Sequence, residues 1–156
     1  MANSLKAMIF VLIAISGYST ISLALTTERI VVETSNGLAI SGYDPVSFHL
    51  DEEPRLGLND IEVVWKGAIW VFATPINRDA FKENPDYYMP VYGGYDPTSL
   101  AEGRITPGNP QYWVKNEDKV YLFFSQLRRD RFAANPNAFI RKSEEIWPEL
   151  SPSLRY

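Results

Sequence analysis

Two aspartates of this chain occupy matching places and could do chemistry together. Asp44 and Asp96 each stand directly before a proline, in the repeated sequence Gly-Tyr-Asp-Pro. Two converging carboxylates can act as a general acid and a general base. An Asp before a proline also favours the start of a helix, since its side chain accepts backbone N–H bonds and the proline has no N–H to satisfy. The sequence therefore predicts that both aspartates cap helices, with acid–base catalysis as the alternative.

A single histidine limits the metal chemistry that the chain could support. His49 is the only imidazole and the chain has no cysteine, so thiolate sites and sites of several histidines have no ligands here. Asp51, Glu52 and Glu53 lie close behind it, and together these side chains could bind a hard cation. Calcium loops, however, need a fixed order of ligands and a turn glycine that this stretch lacks. We therefore predict no metal site and no cofactor, with a solvent-exposed acidic turn at these residues.

A group of tyrosines surrounds a pair of glycines. The stretch Tyr92-Gly93-Gly94-Tyr95 combines glycines, which let another group approach the backbone closely, with rings that offer contact area and a hydroxyl. Such residues could line a ligand cleft. The tentative ligand-binding residues are Tyr92, Tyr95, Asp96, Tyr43 and Asp44. The alternative is that the same rings fill a packed core.

The composition favours a globular domain that does not bind nucleic acid. With 15 basic and 19 acidic residues the net charge is −4 at neutral pH, and an acidic chain lacks the basic footprint of a nucleic-acid-binding protein. The one basic cluster, Arg128-Arg129-Asp130-Arg131, cannot face a single partner on a helix and is predicted to be a solvated surface. No Gly-x-Ser-x-Gly sequence and no nucleotide-binding loop is present. The sequence therefore favours a protein without catalytic activity, and acid–base chemistry at Asp44 and Asp96 is the alternative.

The amino-terminal residues have the pattern of an export signal. One cation, Lys6, precedes the apolar run of residues 7–15, and Ser22-Leu23-Ala24 offers small residues at its first and third places. We predict a signal peptide over residues 1–24, cleavage after Ala24, and a periplasmic or secreted mature protein. A membrane span needs about twenty apolar residues, which this run does not reach. No span is expected after cleavage, and an uncleaved anchor is the alternative.

A duplicated unit organises the rest of the chain. Gly42-Tyr43-Asp44-Pro45 returns as Gly94-Tyr95-Asp96-Pro97, 52 positions later. A second set of identities, 51 positions apart, pairs Phe72, Arg78, Asp79, Phe81, Asn84 and Pro85 with Phe123, Arg129, Asp130, Phe132, Asn135 and Pro136. A fixed period predicts two copies of one structural unit. We place these copies at residues 42–88 and 94–139 of a single domain, 25–148, followed by a carboxyl-terminal tail, 149–156.

The strand and helix signals predict the α+β class, with short helices packed on antiparallel sheet and one hairpin followed by one helix in each copy. The predicted strands are residues 58–65, 68–73, 111–114 and 119–124, after a first hairpin formed by 28–34 and 38–40. Helices are predicted to follow the caps Thr74 and Ser125, the first with Ile76, Ala80 and Phe81 at helical spacing. A last helix is predicted to run from Pro136 to Pro148.

These motifs together resemble the exported YHS-domain proteins. The resemblance rests on Gly42 to Phe48, Trp65 to Phe72, Asn77 to Phe81, Asn84 to Tyr88 and Tyr92 to Tyr95, and it extends over about residues 37–148. It implies a fold and an exported location more firmly than it implies an activity.

The resemblance also implies where relatives hold a metal. The family's cysteine positions are here Ala73, Asn77, Phe124, Arg128 and Asp96. None supplies a thiolate, so the family's metal function is not expected in this chain. We therefore predict an exported, non-catalytic binding module that takes a small ligand or a protein partner at the junction of the two copies. The alternative is a metal-handling protein that uses Asp44, Asp96 and His49 as ligands.

Overall fold

Two β-hairpins, each followed by a helix, form the frame of the structure. The computed structural model describes residues 29–51 and 53–154, so the predicted signal peptide and the predicted mature start at Leu25 lie outside the described residues. The elements are α1 (Ser47–Leu50), β1 (Leu58–Trp65), β2 (Ala68–Phe72), α2 (Pro75–Glu83), α3 (Pro85–Tyr88), α4 (Pro97–Ala101), β3 (Asn109–Asn116), β4 (Lys119–Phe123), α5 (Gln126–Ala134) and α6 (Pro136–Leu150). The predicted α+β class is confirmed.

Each hairpin closes through a two-residue turn that begins with a residue of positive φ. Lys66 and Gly67 have φ of 47° and 75°, and Glu117 has φ of 47°. Positive φ in a short turn matches the twist of the flanking strands, which explains why these positions join antiparallel strands. β1 pairs with β2 and β3 with β4, in separate two-stranded sheets. The predicted strands are therefore present, with β3 longer than predicted at both ends because it runs from Asn109 to Asn116.

The predicted first hairpin is reduced to isolated bridges. Val32 pairs with Ala39, but neither lies in a continuous strand. The chain cannot continue as a strand because Ile40 and Ser41 have φ of 43° and 54° and form a tight turn. The prediction of two strands before the first copy is therefore wrong, although the turn between them is present.

Side-chain caps set the helix starts as predicted. At the start of α2, Thr74 Oγ1 accepts a hydrogen bond from the Asn77 N–H at 3.1 Å. At the start of α5, Ser125 Oγ accepts one from the Arg128 N–H at 3.5 Å. Each cap satisfies one of the backbone donors that a helix leaves unpaired at its first turn.

Pro148 does not end the last helix, contrary to the prediction. α6 continues through it to Leu150, and the Ser151 N–H bonds to the Trp147 carbonyl. A proline in a helix removes one backbone bond. Packing of Leu150 and Leu154 against the second half of the core offsets that loss. Residues 149–154 of the predicted tail therefore pack on the domain.

The core has two parts: the first lies mainly in the first half but also contains Val120 and Leu122 of β4, and the second is built mainly from the second half. The first includes Phe48, Trp70, Phe72 and Phe81, and the second includes Tyr121, Phe123 and Phe132. α6 covers the second part through Phe139, Ile140 and Trp147. Both halves have the same order of elements. The predicted duplication stays a prediction.

The glycine pair between the halves touches the beginning of the described chain. The Gly93 carbonyl accepts a hydrogen bond from the Val31 N–H at 2.8 Å. A Cβ added at Gly93 would lie 1.7 Å from the Arg29 carbonyl oxygen. Gly93 also has φ of 64°, a conformation that costs residues with a side chain. The close backbone approach that these glycines permit is therefore made by the chain's own residues 29–31.

We expect Gly93→Ala to destabilise the fold more than Gly103→Ala. Gly103 also has positive φ, 74°, but nothing lies within 4 Å of an added Cβ. Gly103→Ala should therefore cost only about 1–2 kcal/mol for the backbone conformation. Gly93→Ala should cost a further 1–3 kcal/mol, roughly, for the overlap with Arg29. Urea unfolding of both variants measures the difference, and equal losses would contradict the contact.

Candidate functional site

The Asp44 carboxylate is buried and ties the first half together. Oδ1 accepts from the Val46 N–H at 2.8 Å, while Oδ2 accepts from the Ala73 N–H at 2.8 Å and from Asn77 Nδ2 at 2.6 Å. The side chain therefore joins its own turn to the end of β2 and the start of α2. It caps the turn before α1 rather than α1 itself, which begins at Ser47. The predicted helix cap is in this detail wrong.

The Asp96 carboxylate does the same in the second half. Oδ1 accepts from the N–H groups of Thr98 at 2.8 Å and Ser99 at 3.2 Å, and from Thr98 Oγ1 at 2.7 Å. Oδ2 accepts from the Phe124 N–H at 2.9 Å, and Arg128 Nε lies 3.9 Å away. Asp96 is the N-cap of α4, as predicted.

The residues that bond to the two aspartates stand at the positions where the resemblance to YHS-domain proteins implies metal ligands. The groups that reach the two carboxylates come from Ala73, Asn77, Phe124 and Arg128. Both carboxylates have no solvent exposure, so a substrate has no access to them for acid–base chemistry. Within residues 29–51 and 53–154 no group of three or more His, Asp or Glu side chains could hold a metal ion. The metal-handling alternative therefore has no ligand set in this part of the chain.

The predicted ligand-binding tyrosines are packed into the second half of the core. Tyr92 and Tyr95 are 8% and 7% exposed, and their ring centroids lie 5.6 and 5.9 Å from that of Trp147. The Tyr92 hydroxyl donates to the Ile140 carbonyl at 3.4 Å, and burial raises the pKa of Tyr92 well above its usual range. Four of the five predicted ligand residues are therefore buried, and only Tyr43 is partly exposed. Binding of a ligand here stays a prediction that requires this packing to open.

His49 lies in α1 and packs on rings of its own half, while its carbonyl accepts a hydrogen bond from Lys115 of β3 at 3.4 Å, so it is not in an exposed turn. Its ring centroid is 4.9 Å from that of Tyr87 and 5.3 Å from that of Tyr88, and Nε2 is buried without a hydrogen-bond partner. Burial lowers the pKa of His49, and Lys115 in β3 lowers it further. A hydrogen bond to the Tyr88 backbone and the charge of Asp118 act in the opposite direction. The neutral imidazole is therefore the form that this packing accommodates.

A shallow cleft follows α1. It has a volume of about 640 Å³ and is lined by Leu50, Asp51, Glu53, Pro54 and Arg55. Arg55 Nε lies 3.0 Å from Asp51 Oδ2, so this carboxylate is paired with a guanidinium. The Arg55 guanidinium therefore competes with any cation for the Asp51 carboxylate. The ion pair forms a polar wall of the cleft beside Leu50.

Exposed apolar side chains surround the Asp44 turn, and no sequence motif singled them out. We call Leu50, Leu56, Leu58 and Ile76 the first-half apolar surface; they are 52–79% exposed. Leu56 pairs with Tyr43 beside Asp44, and Leu58 pairs with Phe72 at the end of β2. Leu50 ends α1, which follows the turn directly, and Ile76 lies next to Asn77, which bonds to Asp44. Leu50 and Ile76 therefore lie on segments that bond to the Asp44 carboxylate. The Asp44 N–H bonds to the carbonyl next to Leu56, and Leu58 is linked to Asp44 through β2.

The exposure of Ile76 corrects one detail of the helix prediction. Ile76 was expected to share the buried face of α2 with Phe81, yet it is 79% exposed while Phe81 is fully buried. A spacing of five residues places two side chains about 140° apart around a helix, so they cannot face the same side. This geometric signal was available in the sequence.

We expect Asp96→Asn to destabilise the protein by about 3 kcal/mol. The new amide directs N–H groups toward backbone donors, which leaves buried donors unsatisfied. Asp86→Asn is the matched control, because Asp86 is 73% exposed and pairs with Lys66 at the surface. That variant should lose less than about 1 kcal/mol. Urea unfolding at neutral pH measures both, and similar losses would show that the buried carboxylate is not a structural link.

We expect the free energy of unfolding to fall as the pH drops from about 7.5 to 5.5, in part because of His49. In the unfolded chain its pKa is near 6.5, and the fold lowers it. Between the two values the unfolded chain binds more protons, so acid favours unfolding. His49→Gln should therefore show a smaller change in stability over this range. Urea unfolding at several pH values measures this change. If the free energy of unfolding varied with pH equally in the wild type and the variant, the buried neutral state of His49 would be contradicted.

Comparison with known proteins leaves the assignment of family open. No family model, curated protein or solved structure matches the chain. In the described ranges, none of the helices has the length and apolar character needed to cross a membrane. The relation to YHS-domain proteins and the exported location therefore rest on sequence patterns alone.

Proposed function

We propose that the chain is an exported, non-catalytic binding module of the YHS type, and that it holds a protein partner on the first-half apolar surface. The observation that carries this proposal is the exposure of Leu50, Leu56, Leu58 and Ile76 around one rigid turn. Large apolar side chains in a group on a protein surface are typical of interaction sites.

The rigidity of the turn supports the proposal. Asp44 bonds through its carboxylate to Val46, Ala73 and Asn77 and through its N–H to the Arg55 carbonyl, so the segments that carry the four side chains are joined in one folded frame. A partner that binds a preorganised surface loses less conformational entropy than one that must order it. The surface is therefore suited to bind without a change in the fold.

The cleft beside Leu50 adds polar contacts to this apolar surface. Asp51 and Arg55 pair along its wall, and both retain exposed side-chain atoms. Apolar side chains at the centre with charged groups at the rim are the usual composition of a protein interface. A protein segment fits this pattern better than a small ligand at the junction of the halves, where residues 29–31 and Trp147 already pack.

We expect Ile76→Ser to weaken partner capture while the matched variant Leu127→Ser does not. Both residues occupy the second position of a helix and are 79% and 72% exposed, but only Ile76 belongs to the proposed surface. Tagged full chain, cross-linked and recovered from its own cells, should lose about ten-fold in captured partner with Ile76→Ser, as expected for a central apolar contact.

A core variant separates this surface from the originally predicted site. Tyr95→Phe keeps the ring and should retain the partner, with a stability loss of at most about 1 kcal/mol. Loss of capture with Tyr95→Phe but not with Ile76→Ser would return the binding site to the junction. Equal loss with Leu127→Ser would show that capture depends on general surface hydrophobicity.

A further inference from the structure

Three arginines converge on one carboxylate at the surface of the second half. Glu102, at the end of α4, accepts hydrogen bonds from Arg104, Arg128 and Arg131. Arg131 Nη1 lies 3.1 Å and Arg128 Nη2 lies 3.4 Å from the carboxylate oxygens. Arg128 also donates to Thr98 Oγ1 at 2.9 Å. The cluster therefore fixes α4 against α5 and holds the guanidinium groups close together.

The cluster carries more positive than negative charge. Glu102 and the buried Asp96 are the carboxylates within ion-pair distance of its three guanidinium groups in the described part of the chain. The first turn of α5 adds to this, since it has no acidic residue to balance the positive end of the helix dipole. A local positive region therefore exists in a chain whose net charge is −4.

Two large apolar side chains stand beside these arginines. Phe124 is 59% and Leu127 is 72% exposed. Leu127 is one turn before Arg131 on α5, so these two side chains share a helix face. Phe124 directly precedes the cap of α5, and its N–H bonds to Asp96, which also lies beside Arg128. More than half of each side chain is open to solvent, so these groups project outward and do not line a cleft.

We propose that this second-half surface, formed by Phe124, Leu127, Arg104, Arg128 and Arg131, docks on an anionic lipid surface. Projecting apolar side chains can enter the boundary between head groups and acyl chains, and guanidinium groups beside them can bind lipid phosphates. An inorganic anion would need the arginines but would leave the exposed apolar groups without a role. The contact is peripheral and reversible, and it lies on residues distinct from the first-half apolar surface.

The first half provides a natural control for this proposal. In the predicted repeat, the positions of Leu127, Arg128 and Arg131 are equivalent to those of Ile76, Asn77 and Ala80. The exposed apolar group is therefore retained without the positive charge. Lipid docking that needs both features should depend on Leu127 and not on Ile76.

Vesicle sedimentation tests the proposal with the full chain. The vesicles are phosphatidylcholine alone, or phosphatidylcholine mixed with an equal amount of phosphatidylglycerol, at about 0.05 M salt to limit screening. We expect binding to the mixed vesicles only. Leu127→Ser should weaken it about ten-fold and Ile76→Ser less than about two-fold, since burial of one leucine accounts for that difference. Phe124→Ser serves as a second apolar variant, and urea unfolding checks that each variant is folded.

Charge variants complete the experiment. Arg131→Gln should weaken binding about five-fold, whereas Arg141→Gln, on the exposed side of α6 outside the cluster, should have little effect. All variants share residues 1–28, so binding through that segment is equal among them. Absence of vesicle binding, equal binding to phosphatidylcholine alone, or equal losses with Ile76→Ser and Leu127→Ser would overturn the proposal. Binding of inorganic phosphate to the arginines without any binding to vesicles would also overturn the proposal and would indicate a simple anion site.

Discussion

A buried aspartate that reaches from its own turn to the next hairpin is the constraint on which each half depends. Asp44 and Asp96 both accept bonds from the residues just after them and from the residue just after a strand. A buried carboxylate without such donors would be strongly destabilising, so the turn, the strand end and the following helix must form together. In each half, the formation of the turn, the strand end and the following helix is therefore coupled to the burial of one carboxylate.

The same frame carries different chemistry on its two outer faces. Asn77 reaches Asp44 with a neutral amide, whereas Arg128 brings a cation beside Asp96 and extends to Glu102. The neutral face leaves apolar side chains exposed, and the charged face combines them with arginines. The two halves in this way share one folding constraint and present two different surfaces, because surface residues are not restrained by the buried bonds.

Local signals predicted much of the frame and little of the site. The caps at Thr74 and Ser125 and the positive-φ turns act within a few residues, so the sequence pattern suffices to place them. The role of Asp44 was predicted only in part, because its partners Ala73 and Asn77 lie about thirty residues away. The exposure of Ile76 followed from helical spacing alone and could have been predicted.

The sequence by itself determined the class of fold, the starts of β1, β2, β4, α2 and α5, and the absence of thiolate ligands, since these depend on residue type and near neighbours. Only the tertiary structure decided which candidate side chains are accessible. Tyr95 is covered by Trp147 from the last helix, and Gly93 is covered by Arg29 from the beginning of the described chain. Burial is set by segments that are distant along the chain and meet only after folding, so no local pattern reports it.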